Sequence, residues 1–206
     1  MRTLISAAVI SLACALTAQP AGFESAAGAG VKTDFKIPKA QAGLAKKAPA
    51  QDVTGSLAIS RLNDTATSVI EQGAVSCARP DRQKIRYLMR SPDTGETLDI
   101  SPKLMRLLCL IDAHFGGQGI MLIYAGGYRG PAQNALNIAK AASLGGGVAS
   151  NSLHMYGMAA DIRVPGRSFR EVGEFAQSLK IGGVGYYPIS SFTHVDVGRV
   201  RIWRGS

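Results

Sequence analysis

The chain has 206 residues, a net charge of +9 and 46% hydrophobic residues, which suits one globular domain with added segments rather than two full domains. Its basic residues are not interleaved with aromatics and follow no nucleic-acid-binding motif, so nucleic acid is not an expected partner.

In chain order, Arg2 is followed by an apolar, uncharged run from Leu4 to Leu16 and then by small residues up to Ala18. That run is short for a bilayer span, and residues 1–18 read as a signal peptide removed on export to the periplasm or cell envelope. An uncleaved anchor is the alternative. Leu12-Ala13-Cys14 also suggests lipid attachment at Cys14, although Ser11 stands where a lipoprotein signal has Leu. Residues 19–76 read as an Ala/Gly/Pro/Lys-rich flexible linker, with Lys32, Lys36, Lys39, Lys46 and Lys47 in its first part. Such a segment is a solvated tether, or makes peripheral contact with an anionic cell wall or membrane surface. The folded domain is expected over 77–206. Removal of the signal leaves Cys77 and Cys109, which are either a disulfide or two free thiols.

Lys84–Arg90 and Thr97–Ile100 read as short strands around the turn formers Ser91-Pro92-Asp93-Thr94-Gly95. Ser101-Pro102 is an N-cap followed by proline at the first helical position, and Leu104, Leu107, Leu108 and Ile111 give that helix one buried face. Gly116-Gly117 ends it, with His114 favoured in the last turn by the helix dipole. Ile120–Ala125 reads as a buried strand, Pro131 opens a helix to about Ala142, and residues 143–151 form a Gly-rich loop without the Lys-Ser/Thr ending of a phosphate-binding loop. Ala159–Val164 reads as a strand, Ser168-Phe169-Arg170-Glu171 as a capping box that starts a helix, and Val184–Tyr187 and Thr193–Val197 as the final strands. The irregular mixture predicts an α+β fold: a small, mostly antiparallel sheet flanked by helices and carrying a zinc site.

That site is read from two segments, Ser152 to Ile162 and Thr193 to Asp196, which hold two of the chain's three histidines. A His, a carboxylate seven residues later and a distant second His, here His154, Asp161 and His194, make a catalytic zinc set with the fourth position open. Strand alternation puts His194 and Asp196 on one face with Phe192, and Val195 and Val197 on the other. Asp161 can join them if its strand is a neighbour.

Ser-x-His-x-x-Gly-x-Ala-x-Asp followed by His-Val-Asp resembles the zinc D-Ala-D-Ala carboxypeptidase group, whose clan includes lysostaphin-type enzymes and the hedgehog amino-terminal domain. More closely, the chain resembles the murein endopeptidase K family of periplasmic proteins. That similarity runs through Asp93-Thr94-Gly95-Glu96, Gly127-Tyr128-Arg129, Ser152–Ile162, Gly182–Tyr187, His194–Gly198 and Arg201-Ile202-Trp203. The resemblance implies zinc on His154, Asp161 and His194, with Arg129 lining the site to hold a substrate carboxylate or an oxyanion. Tyr128 and Asn134 follow the family pattern too. It implies hydrolysis of a peptide bond in peptidoglycan crosslinks or stem peptides. The chain departs from the related carboxypeptidases at Ser191 and Phe192, which stand where those enzymes place an acidic residue or a His. Asp196 is then either the general base or the carboxylate that orients His194. Gly127 and Gly130 also stand where Ser is usual. Two rivals remain: a metal-containing peptidoglycan-binding module without turnover, and a non-haem iron oxygenase. The second lacks a further His downstream of His194.

Overall fold

The computed structural model describes residues 53–143 and 150–205. The signal peptide, Cys14 and the lysine-rich segment up to residue 52 lie outside the described residues, as does most of the Gly-rich loop.

Among the described residues, seven strands and four helices follow in chain order: β1 (Ser56–Leu62), β2 (Val69–Ser76), α1 (Arg82–Leu88), α2 (Pro102–His114), β3 (Ile120–Leu122), α3 (Pro131–Ser143), β4 (Ala159–Arg163), α4 (Phe169–Ser178), β5 (Gly183–Tyr187), β6 (Phe192–Asp196) and β7 (Arg201–Arg204). A short 3₁₀ turn, Leu153–Tyr156, precedes β4. The strands form one sheet in the order β2-β1-β3-β4-β6-β5-β7. The α+β class holds, but the sheet is larger than expected and mixed rather than mostly antiparallel. β1–β3 and β5–β7 pair parallel, because in each case the chain crosses over before returning to the sheet.

Three further expectations are corrected. Order begins before residue 77: β1 and β2 pair antiparallel within the segment read as linker. In β1, Leu57, Ile59 and Arg61 alternate inward, and the buried Arg61 is held by Glu71 of β2 at 2.8 Å. Residues 84–90 are not a strand. Asp81 caps Lys84 N–H, and Ile85, Leu88 and Met89 recur at helical spacing and are buried, so α1 forms instead. Thr97–Ile100 is not a strand either, so the turn at Ser91–Gly95 joins no hairpin. Beyond β6 the chain adds β7, a strand that was not expected.

Other features follow the sequence closely. α2 starts on Pro102 and buries Leu104, Leu107, Leu108 and Ile111, each contributing about 2 kcal/mol of hydrophobic stabilisation. Cys77 and Cys109, which the sequence left open between a disulfide and two thiols, are joined as a disulfide that ties the end of β2 to α2, with alpha carbons 6.1 Å apart. Ser168 and Glu171 form the reciprocal capping box of α4. α2 packs on α4 and β1, and α4 packs on β5 and β6. On that side β6 presents Thr193 and Val195 to the core, with Val197 just past its end, and Thr193 Oγ1 donates to Phe169 O at 2.6 Å. Period-two alternation therefore turns Phe192, His194 and Asp196 to the opposite side. Among the described residues, no helix is long and apolar enough to cross a membrane.

Candidate metal centre

β4 and β6 are antiparallel neighbours, with Asp161 directly opposite His194. This meets the condition that the strand pattern left open. His154 arrives from the 3₁₀ turn. Ser152 caps that turn, and Gly157 ends it in the left-handed region at φ 62°. A side chain at Gly157 would also run into Asp99 O at 2.6 Å, so this exit from the turn favours glycine on two counts.

The three residues converge in the interior. His194 Nδ1 lies 2.7 Å from Asp161 Oδ1, His154 Nε2 lies 3.3 Å from the same oxygen, and the two ring nitrogens are 3.2 Å apart. Together they form a group able to hold a metal ion. The outer ring atom of His154 fixes its tautomer. His154 Nδ1 faces Gly127 O at 2.8 Å, and a carbonyl only accepts, so that nitrogen carries the proton. His194 has a carboxylate at each nitrogen, Asp161 Oδ1 at 2.7 Å from Nδ1 and Asp196 Oδ2 at 3.3 Å from Nε2; with a cation between the three residues, Nδ1 is the ligand atom and Nε2 donates to Asp196. In the neutral rings, Nε2 of His154 and Nδ1 of His194 then point lone pairs at each other and at a carboxylate oxygen. Such a set of donors fits a cation at its centre, with each imidazole braced from behind by an acceptor.

Electrostatics agree. Burial pushes His154 down to about 4, and the nearby Arg129 charge adds to this, so the ring is neutral at neutral pH. Burial opposes charge on Asp161, but His154 and His194 hold its carboxyl well below the ordinary range. Burial likewise opposes charge on His194. In the metal-free protein Asp161 and Asp196 outweigh it and raise the pKa.

Asp196 is fully buried and heavily hydrogen-bonded. Its Oδ1 accepts from Gly183 N at 2.9 Å and Gly198 N at 2.8 Å, and its Oδ2 accepts from Arg201 at 2.8 Å. Burial alone would raise its pKa, but these donors and His194 lower it. Arg129 reaches the cluster from the other side. Its guanidinium is 3.8 Å from Asp161 and 3.5 Å from Ser152 Oγ. Its Nε is buried with no partner among the described residues. Burial lowers its pKa, and the nearby Asp161 carboxylate opposes that shift.

Of the two glycines at positions usual for Ser, Gly127 meets fixed backbone and Gly130 a movable side chain. A Cβ at Gly127 would lie 2.5 Å from Met89 O, and one at Gly130 would overlap the Glu96 carboxylate. Sequence reasoning also missed the wall beside His194. Trp203 stands beside it, with the indole centroid 5.0 Å from the His194 ring, and Tyr187 is tied to that indole by a hydrogen bond. The signal was present in the alternation of Gly183-Val184-Gly185-Tyr186-Tyr187, which places two glycines and Tyr187 on one side.

A buried imidazole–carboxylate–imidazole cluster offers three protein donors to an ion, one fewer than a closed structural zinc site. Comparison with known proteins gives the family. The profile described as peptidoglycan L,D-endopeptidase MepK matches residues 66–203, and the chain belongs to this family. The probable peptidoglycan L,D-endopeptidase MepK of Haemophilus influenzae is 38% identical over 123 residues, covering 60% of this chain and 64% of that protein. The peptidoglycan L,D-endopeptidase MepK of Escherichia coli strain K12 is 32% identical over 120 residues, covering 58% and 63%. The chain thus spans a little under two thirds of the length of these curated relatives. No solved structure gives a significant match. The resemblance read from the motifs is confirmed at the level of the family.

Proposed function

We propose that this chain is a zinc-dependent murein peptidase that hydrolyses a peptide bond in peptidoglycan crosslinks or stem peptides. Its place of action is the periplasm or cell envelope, reached through the leader at residues 1–18, with the basic segment after it lying near the wall or membrane surface. The observation that carries this reading is the cluster of two inward lone pairs and one carboxylate, together with the unpartnered Nε of Arg129 beside it.

His154, Asp161 and His194 would hold zinc, the metal that suits two imidazoles and a carboxylate in a catalytic site. When bound, it supplies Lewis acidity, polarising a peptide carbonyl and lowering the pKa of water. Gly127 O and Asp196 hold the two imidazoles in the required tautomers. Arg129 offers a buried donor to a substrate carboxylate or to charge developing on the scissile oxygen. Of the two roles open to Asp196, its hydrogen bonds favour support of His194. Each oxygen already takes protein donors, and a carboxylate held in this way is a poor proton acceptor.

The test is incubation of the purified full chain with isolated peptidoglycan. Soluble muropeptides should appear, stop on chelation and return with zinc. Sacculus binding without product would favour the non-catalytic module. A protein that takes up no zinc, with His154→Ala indistinguishable from wild type, would remove the metal reading.

A further inference from the structure

Tyr187 ends β5 on the metal-facing side of the sheet. It lies opposite Phe192 in register and stacks on that ring at 4.3 Å. Gly183 and Gly185 precede it on the same side, so β5 puts no side chain between the β7 residues and His194. Trp203 of β7 fills that space, and a Cβ on Gly185 would sit 2.6 Å from its indole. The indole N–H donates to Tyr187 Oη at 3.2 Å. Indole nitrogen is a donor only. Trp203 therefore occupies a lone pair of the phenol oxygen and leaves the phenol proton to be given elsewhere. Among the described residues, no acceptor takes that proton. Burial lifts the Tyr187 pKa, and the hydroxyl is near enough to the centre to feel the charges of Asp161 and Arg129. It stays protonated at neutral pH.

We propose that Tyr187 is a catalytic hydrogen-bond donor to the scissile carbonyl oxygen, with Trp203 as the positioning residue that fixes its direction. The proposal rests on the peptidase reading and deepens it. In hydrolysis, the oxygen of a water molecule bonds to the carbonyl carbon, and the carbonyl π pair moves onto its oxygen. There the Tyr187 O–H meets the developing charge without giving up its proton. When the C–N bond breaks, the pair returns to rebuild the carbonyl. The nitrogen leaves with the C–N pair and takes a proton that came from the water. The products are an acid and an amine. Preorganised donors of this kind act where charge appears, so their loss falls on turnover rather than on binding.

The experiment compares wild type, Tyr187→Phe and Trp203→Phe as full chains on purified crosslinked muropeptides. Zinc affinity of the metal-free proteins and thermal melting are measured in parallel. Tyr187→Phe keeps the ring and its stack on Phe192. It should lower kcat by about 10²-fold with KM, zinc affinity and melting nearly unchanged. Trp203→Phe keeps an aromatic ring over Gly185 and should lower kcat by a smaller factor, again without loss of zinc. A Tyr187→Phe enzyme as fast as a cleaving wild type overturns this inference alone. So does a loss that follows weakened zinc binding or KM. A wild type that takes up zinc and cleaves nothing overturns the peptidase reading and this inference with it.

Discussion

The α2 side of the molecule and the metal-facing side of β4, β6, β5 and β7 are buried to the same depth by opposite means. Leu104, Leu108 and Ile111 are fully excluded from solvent and need only close packing. His154 and Asp196 are equally excluded, and they persist because surrounding donors and acceptors match their polar atoms. The first region draws its stability from apolar area and a disulfide. The second gives up apolar area for a pre-aimed set of donors. Stability and chemistry should therefore respond to different substitutions.

The sharpest way to break that separation is His154→Ala. It should abolish turnover and remove the stabilisation that metal confers, about 4 kcal/mol at a metal concentration roughly a thousand times the dissociation constant. Thermal melting with and without zinc measures this, and an undiminished rise in Tm would place the metal elsewhere. On the other side, Leu108→Ala should cost about 3 to 4 kcal/mol in urea unfolding while kcat per folded molecule stays unchanged. Opening the disulfide with a Cys77→Ala/Cys109→Ala pair should cost about 3 kcal/mol, again without altering zinc affinity. A fall in affinity would show that the staple reaches the site. Asp196→Asn should weaken zinc binding by about 10- to 100-fold through His194, as titration of the metal-free protein would show.

The smallest effect concerns Glu71. Burial opposes its charge, but hydrogen bonds from Arg61, Arg90 and Tyr87 hold its pKa below the ordinary 4.5. Its contribution is therefore full above that ordinary value and is lost as pH falls through the lower, folded one. Melting of wild type and Glu71→Gln at neutral and acid pH should differ by at most about 1 kcal/mol, with the difference shrinking in acid.

How much was legible in the sequence follows the same division. α2 and α4 could be read because their caps, Pro102 and the Ser168/Glu171 pair, are local signals. The meeting of Asp161 with His194 could be read because two residues on facing strands need only alternation and one correct pairing. α1 was misread because Ile85, Tyr87 and Met89 alternate as a strand does, while the deciding features were the Asp81 cap and the shared burial of Ile85 and Leu88. β1 was missed because its short Leu57/Ile59 alternation adjoins a run rich in Ala, Gly and Lys. Trp203 was invisible as a neighbour of His194 because that contact depends on a parallel crossover and on the missing side chain at Gly185.

β7 also has a consequence in time. A ribosome makes the chain from its amino end, and Asp161 and His194 emerge well before Arg201 and Trp203. Until those last residues appear, the Asp196 carboxylate lacks its guanidinium partner and the Tyr187 hydroxyl lacks its indole. A nascent or clipped chain ending near residue 199 would carry all three proposed metal ligands and still lack the partners of Asp196 and Tyr187.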